Sequence, residues 1–130
     1  MGLLPEDAQY LTDRGIAHQV SEEAGMTCLL LPAWPLPTGL DRAEADLLIR
    51  LAPGYPDIAP DMWWTDPPVH IMGGATIPNT ESMEVHLGRQ WQRWSRHFTP
   101  GQWQPGIDRL ESYLALVSGE LRRVAAGSAA

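Results

Sequence analysis

The stretch that decides the fold is Trp91-Gln92-Arg93-Trp94-Ser95-Arg96-His97, in which two tryptophans and two arginines surround one serine. Apolar residues recur through it at steps of four, three and four residues, at Leu87, Trp91, Trp94 and Phe98. In a helix, this spacing would place the apolar side chains on one face and the arginines on the other. The same spacing also fits an irregular segment whose aromatic side chains close one edge of the core. Periodicity leaves both interpretations open.

A helix is predicted at each end of the chain. Residues 3–15 begin with Pro5-Glu6-Asp7, a proline and two acids suited to a first helical turn, and Gly15 ends the segment. The C-terminal helix is indicated by apolar residues at alternating three- and four-residue steps, which place them on one face. These residues are Ile107, Leu110, Leu114, Val117, Leu121 and Val124.

Four strands are predicted between the N-terminal helix and the aromatic stretch, at 18–23, 26–31, 45–51 and 61–65. Short turns join them, which is typical of an antiparallel meander. Residues 69–84 are rich in Gly, Pro and Asn, and we expect a long surface loop there. The predicted fold class is therefore α+β. We expect a single domain over 1–126 and a disordered tail at 127–130.

Composition narrows the classes of function. The 130 residues carry a formal net charge of −7, which disfavours nonspecific binding of nucleic acid. No apolar run is long enough to span a membrane, and the N-terminus lacks the basic region of a secretory signal. The single cysteine, Cys28, excludes an internal disulfide, and a cytoplasmic location is the simplest expectation. The histidines and Cys28 lack the spacing of metal ligands, so we expect no metal and no cofactor.

All nine basic residues are arginines, and the chain has no lysine. A genome rich in GC favours arginine codons and explains this bias without reference to function. The functional alternative is that a protein handling an activated ester avoids carrying amines that the ester would modify.

Three motifs, taken with the order of elements, give the chain its resemblance to a known fold. They are Tyr55-Pro56 followed by Pro60, then Pro67-Pro68 after a strand, then Trp103-Gln104-Pro105 before the last helix. The chain resembles the E2 (ubiquitin-conjugating) fold, which has an N-terminal helix, a four-stranded antiparallel meander, an irregular active-site segment and a C-terminal helix. E2 enzymes carry a Tyr-Pro with downstream prolines after the third strand and a Trp-x-Pro before the helix behind the site.

The resemblance is closer to one bacterial group, prokaryotic E2 family E. It rests on Pro53-Gly54-Tyr55-Pro56-Asp57, on the 91–97 stretch, and on Pro105-Gly106-Ile107-Asp108 at the start of the last helix. Genes for such proteins lie beside genes for an E1-like enzyme, a ubiquitin-like protein and a deubiquitinase-like metalloprotease. The resemblance therefore implies a bacterial ubiquitin-like conjugation pathway, with an E1-like enzyme, a ubiquitin-like protein and a protein target as partners, and neither nucleic acid nor a membrane.

The resemblance also implies the position of the nucleophile. In E2 enzymes the catalytic cysteine lies eight residues before the Trp of Trp-x-Pro, and in this chain that position is Ser95. E2 enzymes also have His-Pro-Asn shortly before the cysteine. The nearest counterpart here is Ile77-Pro78-Asn79, which ends sixteen residues before Ser95. This interval is too long for a gapless match, so the sequence leaves the role of Asn79 open.

A serine hydroxyl is much less acidic than a thiol, so a base must remove its proton during attack. The candidate bases are His97 and His86, with ordinary surface histidines as the alternative. Arg93 and Arg96 are candidates for stabilising a developing oxyanion, or else ordinary surface arginines. The candidate binding residues are Trp91, Trp94, Trp103 and Asn79. For the three tryptophans, the alternative is packing in the core.

Two functions follow from these residues. In the first, the chain is an E2-like transferase that carries the C-terminus of a ubiquitin-like protein as an oxyester on Ser95. In the second, it is an inactive E2-like adaptor that binds the ubiquitin-like protein or the E1-like enzyme. Cys28 is the rival nucleophile. It lies in an apolar strand, where a thiol is usually buried and unreactive.

Overall fold

The computed structural model describes residues 2–127, which form two helices and one six-stranded sheet. The helices are α1 (Pro5–Asp13) and α2 (Leu110–Gly127). The strands are β1 (Gln19–Glu23), β2 (Met26–Pro35), β3 (Glu44–Leu51), β4 (Trp63–Asp66), β5 (Met83–His86) and β6 (Arg89–Trp94). This arrangement confirms the predicted α+β class. Of the tail predicted at 127–130, only Gly127 is described, as the last residue of α2, and 128–130 lie outside the described residues.

The sheet is antiparallel throughout, in the order β1-β2-β3-β4-β6-β5. Its first four strands are the predicted meander. The fourth runs over Trp63–Asp66, slightly later than the predicted 61–65. The prediction of four strands was incomplete, because β5 and β6 form a hairpin that adds to β4.

This hairpin corrects the interpretation of residues 87–98. Arg89–Trp94 is a strand, and neither a helix nor an irregular segment covers it. Trp91 and Trp94 are both fully buried, but they lie on opposite faces of the sheet because side chains alternate along a strand. Apolar residues three apart thus serve two cores here, whereas in a helix they would have shared one face.

The loop between β4 and β5 is also partly corrected. It was expected to be a surface loop over 69–84, yet Val69 and Ile77 are fully buried. The Thr80 hydroxyl donates a hydrogen bond to the Ile77 carbonyl at 2.7 Å, which closes a turn next to the core. The loop therefore packs Val69 and Ile77 into the domain before β5 begins.

The larger core lies between the inner face of the sheet and the two helices. The predicted stripe on α2 is confirmed at Leu110, Leu114, Val117, Leu121 and Val124, all of which are buried. Ile107 was wrongly included in the stripe. It precedes the helix and is 71% exposed.

A second, smaller core lies on the outer face of the sheet, away from the helices. Its buried members are Cys28, Leu48, Trp64 and Trp91. Guanidinium groups cover it, with the Arg89 Cζ 4.2 Å from the centroid of the Trp91 ring. At the tip of the β5–β6 hairpin, the Leu87 amide donates to Glu23 of β1 at 2.9 Å, so the sheet curls until its far ends meet.

Two of the motifs that carried the resemblance pack against each other. The Trp103 indole Nε1 donates a hydrogen bond to the Pro56 carbonyl at 2.8 Å, and the Trp103 and Tyr55 rings lie 6.4 Å apart. The Tyr55 hydroxyl donates to the buried Asp7 carboxylate at 2.7 Å. Asp7 also accepts the Leu110 amide at 3.3 Å, so one side chain joins α1, the Tyr-Pro turn and the start of α2.

Candidate functional site

Ser95 lies directly after β6, and its backbone is hydrogen-bonded to Asn79, which lies sixteen positions earlier in the chain. The Ser95 amide donates to the Asn79 carbonyl at 3.0 Å. The β5–β6 hairpin accounts for the interval, because the chain leaves at Asn79, runs out along β5 and returns along β6. Asn79 adopts a φ of 61°, a left-handed conformation that asparagine tolerates better than most residues. Asn79 and Ser95 are therefore neighbours in space.

The Ser95 hydroxyl is half-buried, and a charged group contacts it. Arg93 Nε donates to Ser95 Oγ at 3.2 Å. The two residues are two positions apart on an extended chain, so both side chains project from the outer face of the sheet. The guanidinium lies where it would stabilise negative charge on the Ser95 oxygen or on an oxyanion formed there.

Glu84 holds this guanidinium from the other side. Arg93 Nη1 donates to Glu84 Oε2 at 2.8 Å, while the other carboxylate oxygen accepts Trp64 Nε1 at 2.9 Å. Burial disfavours ionisation of Glu84, but hydrogen bonds from His86, Trp64 and Arg93 outweigh it and hold the pKa of this carboxyl below its usual range. Sequence reasoning missed Glu84, because a single acid in an expected loop carries no distinguishing signal.

His86 lies on the outer face and does not contact Ser95 directly. It is 9% exposed, and its Nε2 is 3.0 Å from Glu84 Oε1 while its Nδ1 is 3.5 Å from Glu23 Oε1. Its ring packs edge-on against Trp64 with the centroids 5.1 Å apart. Both ring nitrogens face carboxylates, so His86 joins the hairpin to the rest of the sheet.

His97 has one ring nitrogen engaged. Its Nδ1 lies 2.7 Å from Asp61 Oδ1, and both side chains are about three-fifths exposed, at 60% and 61%. A carboxylate on Nδ1 orients an imidazole and favours the tautomer whose Nε2 accepts a proton. Within residues 2–127, no hydrogen bond joins His97 to the Ser95 hydroxyl, and the bond that Ser95 Oγ accepts comes from Arg93.

Arg96 fastens the segment that follows Ser95 to α2. Its Nε donates to Glu120 at 2.7 Å, and its Nη1 donates to the Pro78 carbonyl at 3.0 Å. Hydrogen bonds from Arg123 and Arg96 hold the pKa of the Glu120 carboxyl below its usual range, although partial burial opposes this. With Nε and Nη1 both engaged, Arg96 positions the segment around Ser95 more than it offers a free charge.

The predicted binding residues fall into two groups. Trp91 and Trp94 are fully buried, one in each core, so their side chains pack inside the domain. Trp103 is half-buried in an aromatic group, with its ring 5.6 Å from Phe98, and Asn79 is exposed beside Ser95. Asn79 is hydrogen-bonded to Ser95 through its backbone carbonyl.

A cavity of about 190 Å³ opens next to the site, between residues 96–98 and α2. Its wall is half apolar and half polar: Trp63, Phe98, Tyr113 and Leu116 line it together with Arg96, His97, Gln102 and Glu120. The buried Nε1 of Trp63, which also borders it, has no hydrogen-bond partner within the part of the chain that the structure describes. The cavity thus lies between apolar and charged side chains, beside the segment that carries Ser95.

The environment of Cys28 does not suit a nucleophile. Cys28 is a free thiol at 0% exposure in the outer core, where a solvent-borne acyl group has no access to it.

Over residues 2–127, no group of three or more His, Cys, Asp and Glu side chains is arranged to hold a metal ion. No helix in the same range has the length and apolar character needed to cross a membrane.

Comparison with known proteins gives one match. Neither a curated protein nor a solved structure matches the chain significantly. The model of prokaryotic E2 family E matches residues 3–124, which includes both helices except the last turn of α2 and all six strands. The chain therefore belongs to prokaryotic E2 family E and is an E2-like, conjugation-related protein, a class that implies protein partners.

Proposed function

We propose that this chain is the E2-like carrier of a bacterial ubiquitin-like pathway and that Ser95 holds the ubiquitin-like C-terminus as an oxyester. The observation that carries the proposal is the environment of Ser95. Its amide is bonded to Asn79, its hydroxyl to Arg93, and its interval to Trp103 is the one that E2 enzymes use. A half-buried hydroxyl beside a guanidinium is suited to attack on an activated carbonyl.

The proposed loading step is an acyl exchange. Ser95 Oγ attacks the thioester carbonyl at the C-terminus of the ubiquitin-like protein on an E1-like enzyme. The oxygen–carbon bond forms, the carbon–sulfur bond breaks, and the thiol leaves with a proton. In the transfer step, an amine of the target attacks the ester carbonyl, the nitrogen–carbon bond forms and the carbon–oxygen bond breaks. The proton that the amine loses passes to the Ser95 oxygen.

His97 is the preferred base for both steps. Asp61 orients it through Nδ1 and leaves Nε2 available, whereas both nitrogens of His86 face carboxylates. His97 is bonded to Asp61 and not to the Ser95 hydroxyl. Its ring must therefore rotate, or act through a water, to reach Ser95. Arg93 and the Asn79 side chain would stabilise the oxyanion, and Arg96 would keep the segment in place.

The absence of lysine fits this role. A carrier that holds an activated ester near its own amines would modify itself, and this chain has no side-chain amine. We therefore place the acceptor amine on another protein. The chain's protein partners would be the E1-like enzyme, the ubiquitin-like protein and that target, and the reaction would take place in the cytoplasm without metal or cofactor on this chain.

The test reconstitutes the E1-like enzyme, the ubiquitin-like protein and ATP with wild type, Ser95→Ala and Cys28→Ala. We expect an adduct on wild type and on Cys28→Ala that survives thiol reductant and is cleaved by hydroxylamine. Ser95→Ala should form none. An adduct that reductant removes, or one lost only in Cys28→Ala, would place the chemistry on Cys28 and refute the proposal.

One observation favours the adaptor as a second candidate. Within residues 2–127, no histidine or carboxylate is hydrogen-bonded to the Ser95 hydroxyl, and the bond that it accepts comes from Arg93. An adaptor would form no adduct in any variant. Wild type and Ser95→Ala would then bind the ubiquitin-like protein or the E1-like enzyme with equal affinity. Isothermal titration calorimetry with the same proteins measures this outcome.

A further inference from the structure

We infer that Glu84 is a positioning residue for Ser95, because it holds the Arg93 guanidinium with its Nε–H directed at Ser95 Oγ. The inference rests on the proposed function of Ser95. It extends that function by assigning a role to a residue that neither the sequence motifs nor the family match identifies.

The geometry of arginine makes such positioning effective. The guanidinium is planar and rigid, so fixing its terminal nitrogens also fixes the direction of Nε. Arg93 Nη1 donates to Glu84 Oε2 at 2.8 Å, and Nη2 lies 3.4 Å from the Ser82 hydroxyl. The first contact is short and charge-assisted, whereas the second is long and joins exposed groups. Glu84 is thus the main restraint on the fork.

Glu84 is itself held by the sheet. Its Oε1 accepts Trp64 Nε1 at 2.9 Å and faces His86 Nε2 at 3.0 Å, and both of those side chains are buried. Glu84 pairs with Trp91 across the β5–β6 hairpin, so its side chain projects from the same face as Arg93. One carboxylate oxygen is anchored to the outer core, and the other is left for Arg93.

A purely stabilising ion pair does not account for this arrangement. The side chains of Arg93 and Glu84 are 32% and 31% exposed, and partly exposed pairs contribute little to stability. The ion pair instead fixes the orientation of the Arg93 guanidinium relative to Ser95. Hydrogen bonds run without interruption from the buried Trp64 through Glu84 and Arg93 to Ser95.

The experiment measures the reactivity of a thiol introduced at the site by Ser95→Cys. The probe is iodoacetamide, whose alkylation rate follows the thiolate fraction, and peptide mapping separates this thiol from the buried Cys28. The rate is recorded between pH 5 and pH 10 in the Ser95→Cys protein. It is then recorded after adding Arg93→Gln, Glu84→Ala or, as a matched loss of an exposed acid in the same segment, Glu81→Gln.

The Glu84→Ala result has opposite signs under the two explanations. If Glu84 acts only as a nearby negative charge, its removal lowers the thiol pKa and speeds alkylation at pH 7. If Glu84 positions Arg93, its removal frees the guanidinium, raises the thiol pKa and slows alkylation by about threefold to tenfold, in the direction of Arg93→Gln. We expect slower alkylation in both variants and an unchanged rate in Glu81→Gln.

Faster alkylation in Glu84→Ala, or an unchanged rate in both Glu84→Ala and Arg93→Gln, would overturn the inference. Circular dichroism and thermal unfolding confirm that each variant is folded. Where Glu84→Ala does not fold, Glu84→Gln replaces it and keeps one acceptor for Arg93. This test needs no E1-like enzyme, so its failure is distinct from the absence of an adduct on Ser95, which would refute the proposed function alone.

Discussion

Trp103→Phe tests whether the Trp-x-Pro motif acts by locking the site to the Tyr-Pro turn. The substitution removes the indole donor that bonds the Pro56 carbonyl at 2.8 Å but leaves a ring against Phe98 and Tyr113. The net loss of one hydrogen bond costs about 1 kcal/mol, since Pro56 is half-buried and its carbonyl regains some contact with water. Weaker packing of the smaller ring adds about 1 kcal/mol.

We therefore expect Trp103→Phe to lower the free energy of unfolding by about 2 kcal/mol. For a domain of this size, this corresponds to a fall in melting temperature of about 8 °C. Urea denaturation followed by circular dichroism measures the change in free energy. Trp34→Phe is a matched control, because Trp34 is part of neither motif, and its effect should be smaller. A change below about 0.5 kcal/mol for Trp103→Phe would show that the two motifs are not energetically joined, and the reasoning would be refuted.

Two further predictions concern the elements that frame the site. Burial raises the pKa of the Asp7 carboxyl in the folded state, despite hydrogen bonds from Tyr55 and Leu110, so its favourable contribution is complete below the unfolded pKa and is lost as pH rises through the folded pKa. Asp7→Asn should therefore gain stability relative to wild type as pH rises from 3 to 7, measured by urea denaturation at each pH; a constant difference would contradict this. Leu48→Ala, in the outer core, should cost about 2–4 kcal/mol, comparable to Leu47→Ala in the inner core, because both side chains are buried. A cost below about 1 kcal/mol for Leu48→Ala in the same assay would mean that the outer face is not a true core.

The parts of the fold that the sequence predicts well are those whose apolar residues form one helical stripe or one continuous run. On α2, a single apolar stripe faces the sheet, and the helical period follows directly from it. The first strands are bounded by Gly and Pro turns and can be found without knowing their partners. Ile107 continues the spacing of the stripe, but it lies before the helix begins, and periodicity does not mark that boundary.

Strand β6 of the β5–β6 hairpin was missed because it buries one tryptophan on each of its faces, and its partner β5 is short and largely exposed. Trp94 packs in the inner core and Trp91 in the outer core, so the strand shows no alternation of apolar and polar residues. The proximity of Asn79 and Ser95 could not be predicted either, because it depends on the pairing of β5 with β6. Glu84 was missed for a related reason: its partners are brought to it by strand register.

The position of Ser95 was predicted from a fixed interval to Trp103, and its surroundings were not. A motif gives the distance along the chain, whereas the contact with Arg93 depends on both residues projecting from one face of an extended segment. The preference for His97 over His86 likewise comes from which ring nitrogens are engaged, a property of the fold alone.

The central claim is that Ser95 carries the acyl group, and mass spectrometric mapping of the loaded protein tests it most directly. The chain is charged by an E1-like enzyme and a ubiquitin-like protein, treated with thiol reductant, digested and mapped. We expect the C-terminal remnant of the ubiquitin-like protein on Ser95, where it persists after reduction. A remnant on Cys28, or one that reduction removes from every peptide, would exclude Ser95 as the acyl carrier.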